Sequence, residues 1–281
     1  MTVAKTILVV DDDPDIHKLL KAVLPSATCS IDDAYDGLEA LSRLEERRYD
    51  LVLTDVRMPK LDGLELLRRI GEARPETRVV VMTAENTPVN LIRSIREHAF
   101  SYFSKPFSTS AVVEIVTQTL CAPDWRDDIE VLSAKPDWIA LRLCCKFETA
   151  DRILQFLREL GMDLPAEEQE DIATAFRELL LNAIEHGGKL DPKKNVNVSF
   201  VRTKRAIIYH VRDPGEGFSF EALSHAAVAN APDDPFAHAE VRGQLGLRPG
   251  GFGILMTRRM VDELIYNEKG NEVLLIKHLE G

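Results

Sequence analysis

Asp11, Asp12, Asp55, Thr83 and Lys105 each stand where a short apolar run ends. Three carboxylates converging on one spot repel unless a hard cation neutralises them, and Mg²⁺ takes oxygen ligands of this kind. Asp55 in that setting is a candidate nucleophile for an aspartyl phosphate. Lys105 offers a point charge to a phosphoryl oxygen, and Thr83 offers a hydroxyl to another. Farther along, Glu178 and Asn182 are spaced i, i+4, with Glu185 three residues beyond Asn182. Two glycine-rich stretches follow, Asp213-Pro-Gly215-Glu-Gly217 and Gly250-Gly251-Phe-Gly253. A carboxylate and an amide on one helix face, beside glycine loops, can orient a hydroxyl, ligate a cation and let backbone approach a phosphate. Each feature alone reads as turn chemistry or a solvated polar stripe. Together and in this order they point to two phosphate-handling sites.

The elements that must position the first set alternate along the chain. The run KTILVV at 5–10 ends at Asp11-Asp12-Asp13-Pro14, and Ile16, Leu19, Leu20 and Val23 then recur at helix spacing until Pro25. The cycle repeats with strands at 28–31, 51–54, 79–82 and 101–104. Their helices are marked by Leu38, Leu41 and Leu44, by Leu64, Leu67 and Ile70, by Leu91, Ile92 and Ile95, and by Val112 to Val116. Five strand–helix units in about 120 residues imply a doubly wound, five-stranded parallel sheet, whose ligands bind at the carboxyl ends of the strands.

The second half reads differently. Residues 129–147 are strand-like with a break at Lys135-Pro136, and 149–160 are an amphipathic helix capped by Thr149. A long helix over 166–186 carries Glu178 and Asn182. Residues 195–201 alternate as an antiparallel strand with one wet face, and 206–211 pair with them. Residues 221–249 are irregular, ILMTRRMVDEL from 254 is helical, and 272–278 form a last strand. The expected fold is an α/β sandwich on a mixed, mostly antiparallel sheet.

A chain of 281 residues favours two domains. The polar break Cys121–Asp128 places them at 1–122 and 128–281, closely coupled for want of a long Gly/Ser or Pro tract. Net charge is −11, from 35 basic and 46 acidic residues, which argues against a general grip on nucleic acid. No apolar run is long enough for a signal-peptide core or a membrane span. Cys29, Cys121, Cys144 and Cys145 show neither metal spacing nor a disulfide framework, so a reduced cytoplasmic protein is expected.

Residues 5–120 resemble a response-regulator receiver domain through ILVVDDDPD, LTDVRMPKLDG, VVMTA and YFSKPF. The resemblance implies Asp55 as phosphoacceptor, with Asp11, Asp12, Asp55 and the backbone carbonyl of Arg57 around Mg²⁺. It also implies Thr83 and Tyr102 as a switch pair, Lys105 as the phosphate-sensing lysine, and a sensor histidine kinase as phosphodonor. Residues 130–280 resemble the ATP-binding fold shared by gyrase, the Hsp90 chaperone, histidine kinases and MutL. Within it they are most similar to anti-sigma-factor serine kinases, through ELLLNAIEHG, DPGEGF and GGFGILMTRRMVDE. This implies ATP as ligand, Glu178 as general base and Asn182 as a Mg²⁺ ligand. Asp213 would bind the adenine amino group, Gly215 and Gly217 would shape the pocket, and Gly250, Gly251 and Gly253 would lie at the phosphates. The segment 221–249 would be a lid.

A sensor histidine kinase needs a phosphoacceptor histidine ahead of its ATP domain, and residues 121–165 contain none. The expected function is therefore a response regulator whose Asp55 phosphorylation controls a serine/threonine kinase acting on an anti-sigma-factor antagonist. The alternative is ATP-dependent sequestration of a sigma factor or antagonist without transfer. A homodimer is expected by family habit, and neither nucleic acid nor membrane is expected as a partner.

Overall fold

β-Branched residues are stiff at χ1 and fit a pleated surface, and the runs rich in them become strands. The computed structural model describes residues 5–24, 29–122, 128–161, 164–217 and 253–279. They fall into two units, Met1–Arg126 and Asp127–Gly281. The first holds β1 (Lys5–Val10), β2 (Cys29–Ala34), β3 (Leu51–Asp55), β4 (Arg78–Thr83) and β5 (Ser101–Ser104). Its helices are α1 (Pro14–Val23), α2 (Gly37–Glu46), α3 (Gly63–Ala73), α4 (Pro88–Arg96) and α5 (Thr109–Cys121). The sheet order is β2-β1-β3-β4-β5, with every pairing parallel.

Each of these helices starts after a residue whose side chain accepts a first-turn backbone N–H, Asp13, Asp36, Asp62, Thr87 and Ser108 in turn. Such a cap contributes about 1 kcal/mol. Because helices cover both faces, all five residues of β3 are buried. The strand order reverses between β1 and β3, which opens a crevice beyond their carboxyl ends. Asp11 and Asp55 flank it.

The second unit has β6 (Ile129–Lys135), β7 (Trp138–Cys144), β8 (Asn195–Arg202), β9 (Ala206–Arg212), β10 (Glu263–Tyr266) and β11 (Glu272–His278). Their order is β10-β11-β9-β8-β7-β6, and among the described residues every pairing is antiparallel. The helices are α6 (Phe147–Arg158), α7 (Ala166–Asn182) and α8 (Gly253–Met260). One sheet face buries Leu141, Phe200, Tyr209 and Leu275, and Phe176 of α7 packs on Tyr209 at 4.7 Å. No described helix is long and apolar enough to cross a membrane.

Three local expectations are corrected. Lys146, not Thr149, stands at the cap of α6, and no side chain bonds there. Thr149 and Arg152 are instead buried within the helix, because the stripe of Ala150, Ile153 and Leu157 needs that turn against the sheet. The long helix changes after Asn182 into a π turn, Ala183–Gly187. The run from Ile254 ends as helix at Met260, and Glu263–Tyr266 joins β11 as an edge strand. Ladder hydrogen bonds there outweigh a helical spacing that fits equally well on paper. Gly250, Gly251 and the segment expected to be a lid lie outside the described residues.

Candidate functional sites

Asp11 follows β1 and is fully buried, while the next residue, Asp12, is exposed. An Asp11 Oδ2 accepts from Lys105 Nζ at 2.6 Å, and its Oδ1 accepts from Asp13 N at 3.0 Å. Asp55 closes β3, with Oδ2 accepting from Arg57 N at 3.1 Å. Its Oδ1 lies 3.2 Å from Lys105 Nζ, yet this buried oxygen has no aligned hydrogen bond. The ion pair is the better description of that contact, since charge attraction is less directional than a hydrogen bond. Burial pushes the Asp55 carboxyl above the ordinary range, Lys105 opposes this, and Asp11 adds to it. Burial depresses the Lys105 ammonium, but its bonds to Asp11 and Asp55 outweigh that and raise it.

Thr83 ends β4 and is buried; its Oγ accepts from Glu85 N at 3.0 Å, leaving its own O–H to donate. Tyr102, buried in β5, donates its hydroxyl to the Glu85 carbonyl at 3.4 Å. The Arg57 guanidinium pairs with the Glu85 carboxylate. One residue thus joins the loops after β3 and β4 to both members of the expected switch pair. Neither the Arg57 side chain nor Glu85 stands out in the sequence, since an exposed ion pair leaves no pattern there.

A hard cation fits part of this site. The unbonded Asp55 oxygen and the repulsion between Asp11 and Asp55 both call for positive charge. Asp12, the third carboxylate of the expected trio, is exposed beside Asp11. Among the described residues no three acidic, histidine or cysteine side chains are grouped for a metal. Lys105 bridges Asp11 and Asp55 instead.

In the second unit Glu178 and Asn182 meet, with Asn182 Nδ2 donating to Glu178 Oε1 at 3.4 Å. Gly253 opens α8 directly against them: a Cβ there would lie 1.8 Å from Glu178 Oε1. The first amides of α8, which have no helical acceptors, therefore sit beside the Glu178 carboxylate. Tyr266 of β10 is nearby; burial pushes its phenol up to about 12, Arg258 opposes this, and Glu178 adds to it.

Asp213 follows β9. Its Oδ1 accepts from Gly215 N at 2.7 Å, and its own N donates to Asn271 O at 3.0 Å. Burial raises the Asp213 carboxyl, opposed by the Gly215 amide and by Lys269. Gly187, at the end of the π turn, allows the close approach: a Cβ would fall 2.2 Å from Asp213 Oδ1. This turn ties the Glu178/Asn182 face of α7 to the Asp213 loop. Gly217 adopts φ +83°, against the Lys269 carbonyl, and Lys269 Nζ donates to Gly215 O at 3.4 Å. Glu185 and His186 are exposed. Lys269 and Asn271 were not legible as site residues, since Asn267-Glu-Lys-Gly-Asn271 reads only as a hairpin turn. An apolar cleft among α6, α7 and β9, lined by Leu157, Phe176 and Tyr209, contains none of these residues.

A nucleotide suits this second arrangement. Glycines at 187, 215 and 253 leave backbone where side chains would collide with Asp213 or Glu178. A half-buried carboxylate at one end can accept from an amino group, and a helix N-terminus at the other favours anions.

The family profile for a response regulator receiver domain matches residues 7–117, and that for a histidine kinase-like ATPase domain matches 146–277. Curated relatives match through the first region. The DNA-binding transcriptional regulator NtrC of Azospirillum brasilense is 34% identical over 117 residues, 42% of this chain and 24% of the relative. The transcriptional regulatory protein ResD of Bacillus subtilis is 38% identical over 107 residues, 38% of this chain and 44% of the relative. The chain thus spans less than half the length of these relatives. Among solved structures, a CheY-like response regulator receiver domain protein from Methanospirillum hungatei is 28% identical, with a TM-score of 0.41. That match covers 42% of this chain and 94% of the other.

Proposed function

From the premise that this chain is a response regulator receiver domain fused to a histidine kinase-like ATPase domain, we propose that phosphorylation of Asp55 controls an ATP-dependent protein kinase. In the input step an Asp55 oxygen attacks the phosphorus of a phosphohistidine on a sensor kinase. The N–P bond breaks, and the imidazole leaves and takes up a proton. Lys105 then meets a phosphoryl oxygen, and the Thr83 hydroxyl donates to another. Asp11, Asp12, Asp55 and the Arg57 carbonyl would hold Mg²⁺, which shields phosphoryl charge when bound.

In the output step Glu178 takes the proton of a serine or threonine hydroxyl on a protein partner. The hydroxyl oxygen bonds to the γ-phosphorus of ATP, the bond to the β–γ bridging oxygen breaks, and ADP departs. Asp213 accepts from the adenine amino group, Asn182 would contribute to Mg²⁺, and Gly253 places α8 amides toward the phosphates. The observation that carries this reading is the Glu178 carboxylate held between Asn182 and the start of α8. An anti-sigma-factor antagonist is the proposed substrate class.

Transfer of labelled phosphate from ATP to a purified antagonist tests it. Glu178→Ala should lower the rate by about 10²- to 10⁴-fold, as loss of a general base does, with nucleotide binding retained. Equal transfer by both proteins would remove Glu178 from the chemistry. ATP-dependent capture of the partner without any transfer would replace the kinase by a nucleotide-gated binding module.

A further inference from the structure

The face of the second sheet opposite α7 carries an apolar row across four strands. Trp138 on β7 pairs with Val201 on β8, Val201 with Ile208 on β9, and Ile208 with Ile276 on β11. Residues directly opposite in antiparallel strands point to the same face. Trp138 is 45% exposed, and the other three are partly exposed. Four strands span about 14 Å, the length of a helix on the order of ten residues.

One edge of this row, on the side of the β6–β7 and β8–β9 turns, is cationic. Lys135 lies opposite Trp138 across the β6–β7 turn, and Lys204 and Arg205 are the central residues of the β8–β9 turn. The two turns are joined, since Arg202 N donates to Asp137 O at 2.8 Å. Lys135, Lys204 and Arg205 are exposed, and none makes an ion pair among the described residues. Lower on the same face Arg142 pairs with Glu130, and Arg212 with Glu272. Asp137 is the one acidic side chain within the two turns. In a chain of net charge −11, three unpaired cations beside an exposed tryptophan form a local inversion of sign.

We infer that this face docks an amphipathic helix of a partner protein, whose apolar stripe lies on the Trp138–Ile276 row and whose acidic flank meets Lys135, Lys204 and Arg205. A protein helix fits better than nucleic acid. Three cations confined to two adjoining turns do not track a phosphate backbone, and the chain's overall charge repels one. The surface lies on the sheet face opposite α7, so a partner can be held there while α7 carries Glu178.

A displayed library of helical peptides, selected on the intact chain, tests the inference. Enriched peptides should carry an apolar i, i+3, i+4, i+7 stripe with Asp or Glu along one flank of it, and their affinity should fall as salt rises. Trp138→Ala should weaken a selected peptide by about 10-fold or more. The triple change Lys135→Glu, Lys204→Glu, Arg205→Glu should weaken it at low salt and leave the melting temperature unchanged. The inference is overturned if no peptide enriches, or if enriched peptides lack acidic residues. It is equally overturned if neither variant alters binding, if a single-stranded oligonucleotide or an anionic vesicle competes better than the peptide, or if the chain self-associates through Trp138.

Discussion

At Asp55 the chemistry of the site is written into its proton affinity. Burial, with Asp11 beside it, raises the carboxyl above its ordinary value despite Lys105. A folded-state value above the unfolded one means the folded chain binds that proton more tightly. Its contribution to stability is then full at low pH and is lost as pH rises through the folded value. Asp55→Asn removes the charge, so at neutral pH the receiver should melt a few degrees higher. The gain should fade as pH falls toward the ordinary carboxylate range, a trend that melting curves across pH will show or refute. At Gly253 the collision is with the flexible end of Glu178 rather than with backbone. Gly253→Ala should therefore cost little stability, under about 1 kcal/mol, while pushing the carboxylate aside and cutting phosphate transfer by about 10-fold or more. A large loss of melting temperature with transfer intact would contradict this placement. The residues around Asp55 were legible because Asp11, Asp12, Asp55, Thr83 and Lys105 end four of the five apolar runs.

Among the elements, the β10–β11 turn does most to fix the Asp213 loop. Asn267 Oδ1 accepts from the amides of Gly270, Asn271 and Glu272, and the Asn271 carbonyl accepts from Asp213 N. Asn267→Ala removes the side-chain acceptor of all three, leaving Gly270 only the Asn267 carbonyl, and should cost about 1–3 kcal/mol. It should also speed amide exchange at Asp213 and Gly215, which hydrogen-exchange mass spectrometry resolves. Unchanged exchange there would separate the turn from the loop. The parallel unit was readable element by element, because four of its five strands run into a polar residue and each helix begins at a cap. The second unit was less so. Val261 to Tyr266 carries apolar residues at a spacing that suits a helix, and only pairing with β11 decides otherwise. The π turn at Ala183–Gly187 is likewise set by contact with Asp213, which no local pattern encodes.

For the whole molecule, two units with separate cores predict two separable responses to ligand. ATP at 100 times its dissociation constant should stabilise only the unit that binds it, by about 2.7 kcal/mol, leaving the receiver transition in place in calorimetry. A single transition that moves as one would mean the units unfold together. The central claim is that phosphate on Asp55 governs the ATP-binding unit, and coupling of this kind is commonly 1–3 kcal/mol, or about 5- to 150-fold in affinity. Its most direct test is ATP affinity of the full chain before and after acetyl phosphate treatment, with Asp55→Asn treated in parallel. The account predicts a change of at least about 5-fold in the wild type and none in Asp55→Asn. The same ATP affinity in the phosphorylated and unphosphorylated wild type would contradict it.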